Sequence, residues 1–153
     1  MIPLLTGIDR DHDARSGLSG YLAVVSAALG VGGESCTADL DVPASAYVAL
    51  DLRLPRHPGR DLALLWDERH GWALAMETHS GEDLLVLAYL GDDLVPSPAR
   101  VRGFVAAIRD AGGPSAPPVP PDLRGDREEL LERLLRYRRG RWGTTVPFLT
   151  RIG

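Results

Sequence analysis

Two tryptophans enclose the part of this chain whose residue types are best suited to chemistry. Trp66 and Trp72 flank a polar stretch, residues 67–71, that contains two carboxylates and one imidazole. A carboxylate and an imidazole that lie close together can orient a ligand or act as a general acid and base. Seven residues are therefore ligand-binding candidates: Arg60, Asp61, Trp66, Asp67, Glu68, His70 and Trp72. The alternative interpretation is a hairpin whose tryptophans pack in the core and whose polar turn is solvated.

Enzyme motifs give no further support to catalysis. The sequence contains no HExxH, GxSxG, GxGxxG or phosphate-binding loop motif, so no residue is assigned a catalytic role. Cys36 is the only cysteine, which excludes an internal disulfide and any multi-cysteine metal site. A metal site using Glu77 and His79 with another histidine was considered, but strand spacing alone does not bring three ligands together. We predict no bound metal and no cofactor.

The elements that position these residues follow from the apolar pattern. Apolar residues 62–66 and 72–76 on either side of the polar stretch predict a β-hairpin, with Gly71 in its turn. Residues 84–90 are apolar at every position, which predicts a central strand buried on both faces. Two alternating segments before the hairpin, beginning at Cys36 and Tyr47, add further strands. The pattern predicts an antiparallel meander of four to five strands.

Helices are predicted before and after this sheet in the sequence. Apolar residues spaced three and four apart predict a first helix from residue 16 to Gly30. The Ser97-Pro98 pair predicts the start of a second helix, and Gly112-Gly113 predicts its end. Together with the meander, these helices indicate an α+β fold.

A proline-rich segment follows this domain. Residues 114–121 contain five prolines, a composition typical of an extended and stiff connector. The predicted organisation is a flexible N-terminal arm (1–15), an α+β domain (16–113), a proline-rich linker (114–125), and a C-terminal helix and tail (126–153).

The C-terminal helix has acids at its start and arginines at its end. Five arginines lie between residues 133 and 141, an order that complements the helix dipole. The alternative is contact with nucleic acid, for which the candidates are Arg136, Arg138, Arg139, Arg141 and Trp142. A helix of this length is marginal alone, so its leucine seam should dock on the sheet of its own chain or on a second copy.

One predicted face of the sheet is apolar but built from small side chains. If the tryptophans and neighbouring leucines face the helices, the opposite parity gives the shallow face: Tyr47, Ala49, Ala63, Leu65, Ala73, Ala75 and Ala88. A bare apolar sheet face is typical of an interface or the floor of a ligand site. The interface candidates are Tyr47, Ala73, Ala75, Leu130, Leu134 and Tyr137, and we expect a homodimer.

The segment around the hairpin resembles a known family. The residues PGRD (58–61) followed by LxWDExxGW (64–72) are its most specific part, within a stretch from residue 16 to 112. This stretch resembles DUF6292, a family of small actinobacterial proteins of unknown function. The resemblance implies no activity, cofactor or site residue.

Composition limits the remaining function classes. The net charge of -4 argues against nonspecific nucleic-acid binding by the whole surface. No apolar run approaches the ~20 residues of a membrane span and no signal peptide is evident, so a cytoplasmic location is expected. All 17 basic residues are arginine, a bias typical of a GC-rich genome such as an actinobacterium's.

The leading hypothesis is a non-enzymatic binding or regulatory module that self-associates, with a protein or small-molecule partner. The first alternative is a small enzyme or ligand-binding protein of specialised metabolism that uses the tryptophan hairpin. The second is nucleic-acid contact through the C-terminal arginines.

Overall fold

The chain forms an α+β fold with a five-stranded antiparallel sheet, as predicted. The computed structural model describes residues 3–78 and 83–138, with side chains from residue 11 onward. The helices in these residues are α1 (Pro3–Leu29), α2 (Pro98–Asp110) and α3 (Arg127–Leu135). The strands are β1 (Cys36–Asp39), β2 (Ser45–Ala49), β3 (Leu62–Asp67), β4 (Gly71–Glu77) and β5 (Leu84–Tyr89).

The sheet is the predicted meander, and its strand order is β1-β2-β3-β4-β5. In the β3–β4 hairpin, Trp66 lies opposite Trp72 and Leu64 lies opposite Leu74. Side chains of this parity form the deep face of the sheet, and the following are all buried: Ala46, Val48, Leu62, Leu64, Trp66, Trp72, Leu74 and Met76. The deep face therefore supplies most of the core contributed by the sheet.

The prediction that residues 84–90 form a central strand is wrong. β5 lies at the edge of the sheet, and Leu85 is 51% exposed. Its residues are apolar at both parities for another reason: Leu85, Val86 and Leu87 line a cavity together with residues 114–118. A cavity lined by the proline-rich segment, rather than a sixth strand, thus lies beside the apolar residues of β5.

The first helix starts earlier than predicted. Residues 3–15, for which the sequence predicts a flexible arm, are the first half of α1. The polar sequence there has little local periodicity, but Ala14 is buried and Asp13 forms an ion pair with Arg138. The contact that supports this half of the helix thus comes from a residue 125 positions away.

The second helix begins at its predicted cap, and the third begins after Asp126. The hydroxyl of Ser97 accepts a hydrogen bond from the backbone N–H of Arg100 at 3.1 Å, and Pro98 opens α2. The carboxylate of Asp126 accepts a hydrogen bond from the N–H of Glu128 at 3.0 Å at the start of α3. Both contacts satisfy an N–H that has no partner within the helix.

The chain divides into two compact units. Among the described residues, one unit comprises 3–24 and 125–138, and the other comprises 25–78 and 83–124. In the first, α3 packs on α1, where the α-carbon of Gly17 is so close to the Leu134 backbone that an added Cβ would lie 2.9 Å from the Leu134 carbonyl carbon. The second contains the sheet, α2 and the proline-rich segment. Over the described parts of both, no helix has the length and apolar character needed to cross a membrane.

Candidate functional site

The two tryptophans of the hairpin are core residues. Trp66 is 1% exposed and Trp72 is fully buried. The indole Nε1–H of Trp66 donates a hydrogen bond to the carbonyl of Leu94 at 2.7 Å, which satisfies the polar atom of a buried ring. Neither ring presents a surface to a ligand in this arrangement.

Asp67 organises the turn between β3 and β4. Its Oδ1 accepts hydrogen bonds from the backbone N–H groups of Arg69 at 2.8 Å and His70 at 2.7 Å. Its Oδ2 lies 3.2 Å from Nδ1 of His70, and the side chains of both residues are about one-third exposed, at 36% and 31%. The imidazole is also 6.1 Å from the ring of Tyr89, measured between centroids. Asp67 therefore caps the turn and orients one imidazole at the protein surface.

The second carboxylate of the turn also has a structural partner. Oε1 of Glu68 accepts a hydrogen bond from the backbone N–H of Ala44 at 2.6 Å, and the N–H of Glu68 donates to the carbonyl of Ala44 at 3.1 Å. Glu68 thus fixes the segment that leads into β2. The sequence offered no signal for this contact, because the two residues are 24 positions apart.

Arg60 and Asp61 lie at the opposite end of β3 from this turn. Six residue steps of ~3.3 Å separate Asp61 from Asp67 by about 20 Å. Asp61 pairs with Arg53, whose Nη2 is 2.7 Å from Oδ1, and the two side chains are each 52% exposed. An ion pair this exposed contributes at most about 1 kcal/mol. The structure therefore splits the seven ligand-binding candidates into a buried tryptophan pair and two separate polar groups.

The shallow face has partly exposed side chains around buried small ones. Ala63 and Ala75 are fully buried, whereas Tyr47, Ala49 and Leu65 are half-buried. A register shift beside Leu74 and Ala75 changes its composition, because Ala88 lies opposite Leu74 and Val86 lies opposite Ala75. Tyr89, which lies opposite Ala73, therefore takes the place of Ala88 on the shallow face, where Val86 also lies.

Tyr47 is the polar group at the rim of this face. Burial raises the pKa of the Tyr47 phenol above its usual value of 10.0, and the carboxylates of Glu77 and Asp61 raise it further. Glu77 was not among the predicted site residues, although it has the same parity in β4 as Ala75 and Ala73. The alternation of side chains along β4 could therefore have predicted that Glu77 lies on the same face as Tyr47.

The remaining interface candidates lie between α3 and α1. Leu130 and Leu134 are buried, and the rings of Tyr137 and Tyr21 are 4.9 Å apart between centroids. The leucine seam of α3 is thus covered by α1 of the same chain. The sequence predicted docking on the sheet of the same chain or on a second copy, whereas the contacts described for this helix are with α1.

The nucleic-acid candidates are only partly described. Nη1 of Arg138 donates a hydrogen bond to Oδ1 of Asp13 at 2.8 Å, and the Arg138 side chain is 21% exposed. Arg136 follows the last residue of α3. Arg139, Arg141 and Trp142 lie outside the described residues, as does His79. In the described ranges, no group of three or more histidine, cysteine or acidic side chains is placed to hold a metal ion.

Comparison with known proteins assigns the chain to a family. No curated protein and no solved structure matches it. The model of a family described as "Family of unknown function (DUF6292)" matches residues 21–107, which include the whole sheet, the tryptophan hairpin and most of α2. The chain therefore belongs to the DUF6292 family.

Proposed function

We propose that this chain is a non-enzymatic binding or regulatory module that self-associates through the shallow face of its sheet. The observation that carries the proposal is the set of half-buried side chains Tyr47, Ala49 and Leu65 around the fully buried Ala63 and Ala75. Small residues at the centre allow another backbone to approach closely, and the larger apolar groups around them gain from removal from water.

The polar groups of the tryptophan hairpin support the non-enzymatic part of the proposal. Asp67 holds two backbone N–H groups of its own turn, and Glu68 holds the segment before β2. Both carboxylates accept hydrogen bonds that stabilise the fold, so their presence does not require a catalytic explanation.

The geometry of the shallow face favours a second copy as the partner. Two sheets that pack face to face lie about 10 Å apart, a distance that alanine, leucine and tyrosine side chains together can fill. A two-fold axis would bring the same patch of each copy together. Tyr47, with Glu77 and Asp61 beside it, would then lie at the polar rim of an apolar centre, which is the usual anatomy of an interface.

The test is a charge placed at the centre of this face. Leu65→Glu would bury a carboxylate in the interface of each copy, and we expect it to raise the dimer dissociation constant at least about 30-fold, equivalent to roughly 2 kcal/mol. Val42→Glu is the matched control, because Val42 is 71% exposed and lies outside the strands. Sedimentation velocity at several concentrations gives the constants, and thermal unfolding shows that both variants are folded.

Two results would contradict the proposal. One is an equal dissociation constant for the Leu65→Glu and Val42→Glu variants. The other is an unmodified chain that sediments as a monomer at every concentration reached.

A second candidate function rests on the Asp67–His70 pair. An imidazole held by a carboxylate at 3.2 Å and partly exposed is an arrangement that can bind a small molecule or transfer a proton. Under this alternative, compounds that raise the thermal unfolding temperature of the unmodified chain should lose that effect in the His70→Ala variant. If every such compound stabilises both proteins equally, the pair has no role in ligand binding.

A further inference from the structure

The strand β5 has the properties of an edge at which another strand could add. Its sequence, residues 84–89, is Leu-Leu-Val-Leu-Ala-Tyr, with no charged residue and no proline. Within the described sheet it pairs only with β4, so its outer backbone groups have no strand partner there. An uncharged apolar edge of this length is a template for pairing with another chain unless something covers it.

Residues 114–124, here called the proline strap, lie beside this edge. Residues 114–118 line a cavity of about 370 Å³ together with Leu85, Val86 and Leu87. The same part of the strap lines a second cavity, of about 430 Å³, with Ala88, Tyr89 and the α2 residues Phe104 and Ile108. The strap therefore runs next to β5 along most of the length of the strand.

Proline makes the strap a cover that does not extend the sheet. Five of its first eight residues are proline, and proline has no backbone N–H to donate to a neighbouring strand. A strap of ordinary residues at this position could pair with β5 and present a new edge of its own. The proline strap lies beside the edge without adding a strand to the sheet.

The strap is anchored at its two ends. The N–H of Gly113, just before it, donates to the carbonyl of Ile108 at 3.0 Å, and the N–H of Leu123 donates to the carbonyl of Arg69 at 2.8 Å. The Leu123 side chain packs where Gly71 has no Cβ, since an added Cβ would lie 3.1 Å from Cδ1 of Leu123. Between these ends, residues 114–120 are exposed, and Val119 is 78% exposed. Few contacts would have to break for the middle of the strap to leave.

We propose that the proline strap is a removable cover, and that the β5 edge beneath it is the site at which a second copy of this chain adds by β5–β5 pairing. Antiparallel pairing of two identical strands about a two-fold axis joins two five-stranded sheets into one. The apolar, uncharged sequence of β5 places no like charges opposite each other in that arrangement. Val86 belongs both to the shallow face and to the cavity beside the strap, but the proposed contact is made by the outer backbone groups of β5 rather than by shallow-face side chains. The inference therefore does not depend on the proposed function.

The experiment releases the strap in the full-length chain. Leu123→Asp removes the side chain that fills the space beside Gly71, and a second variant replaces the five prolines of the strap with serine. Every protein also carries Leu65→Glu, so that association through the shallow face does not contribute. We expect both release variants to self-associate at least about tenfold more tightly than the Leu65→Glu parent, as measured by sedimentation velocity.

A charge on the edge strand identifies the surface that is used. Leu85→Lys, added to each release variant, would place a charged side chain from each copy in the new apolar pairing and should return the protein to the parent's association constant. Val119→Lys is the matched control, because it adds the same charge to an exposed apolar residue of the strap itself and should change nothing.

The inference is overturned in either of two ways. The release variants, shown by circular dichroism to be folded, could associate no more tightly than the parent. Alternatively, they could associate more tightly but respond equally to Leu85→Lys and Val119→Lys, which would place the contact elsewhere. A failure of the shallow-face proposal leaves these measurements unchanged, because Leu65→Glu is present throughout.

Discussion

The two faces of the sheet are built from alternating residues of the same strands, yet they differ in almost every physical respect. On the deep face, Leu64 is fully buried and Trp66 is 1% exposed. On the shallow face, the neighbouring residue Leu65 is half-buried and lies between Tyr47 of β2 and Ala73 of β4. In one hairpin, the side chains of one parity therefore pack in the core, whereas the other parity forms a face with partly exposed side chains.

The deep face is held by contacts that reach well beyond the hairpin. Trp66 donates to the carbonyl of Leu94 at 2.7 Å, and the hydroxyl of Ser26 on α1 lies 2.6 Å from the thiol of Cys36 at the start of β1. The shallow face has Tyr47 near two carboxylates and no comparable set of large, fully buried side chains. Substitutions at the two parities should therefore have different consequences.

The largest expected difference is between two adjacent leucines of β3. Leu64→Ala removes a fully buried side chain and leaves a cavity, so it should lower the free energy of unfolding by about 2–5 kcal/mol. Leu65→Ala makes the same chemical change on the shallow face and should cost less than about 1 kcal/mol in the monomer. Urea unfolding of the two variants at low protein concentration measures both values. Equal losses would mean that the faces do not differ as described.

A smaller effect is expected where the hairpin turn meets the proline strap. Gly71 has a φ of +72°, and an added Cβ would lie 3.2 Å from the carbonyl oxygen of Asp93. Gly71→Ala should therefore lower the free energy of unfolding by about 1–3 kcal/mol. Gly59→Ala is the control, since nothing lies within 4 Å of the Cβ it would add, and its effect should stay within about 0.5 kcal/mol. Urea unfolding that gave the same loss for both variants would show that Gly71 is not under this constraint.

The smallest effect concerns the pH dependence of the shallow face. Burial and the carboxylates of Glu77 and Asp61 raise the pKa of Tyr47, so the folded chain favours the neutral phenol more than the unfolded chain does. This contribution is fully present below the unfolded pKa of about 10 and is lost as pH rises through the folded value. The unmodified chain should therefore lose stability relative to Tyr47→Phe above about pH 10. Urea unfolding in alkaline buffers measures this difference, and parallel pH profiles for the two proteins would contradict it.

Local signals in the sequence account for the parts of the fold that were predicted. The β3–β4 hairpin follows from apolar runs on either side of a polar turn that ends in Gly71, and α2 follows from Ser97 and Pro98. These features depend on residues a few positions apart. Their physical causes, a left-handed glycine and an N-cap hydrogen bond, can therefore be read from a short window of sequence.

The features that were not predicted depend on distant residues. The first half of α1 is supported by an ion pair between Asp13 and Arg138, which no local pattern indicates. The edge position of β5 depends on strand order, and an apolar run indicates burial without indicating what provides it. The division of the candidate site also has a long-range cause, because Asp61 pairs with Arg53 and Glu68 binds the backbone of Ala44.

The shallow face was predicted nearly as it stands, since alternation alone separates the two parities of a strand. The replacement of Ala88 by Tyr89 comes from the register shift beside Leu74 and Ala75. An irregularity of this kind has no marker in the sequence, because neither glycine nor proline lies in β5.

Light scattering after size exclusion, on the unmodified full-length chain over a range of concentrations, tests the central proposal most directly. Self-association through the shallow face predicts a mass that approaches twice the 16.5 kDa of one chain as the concentration rises. A mass that stays at 16.5 kDa throughout would contradict it.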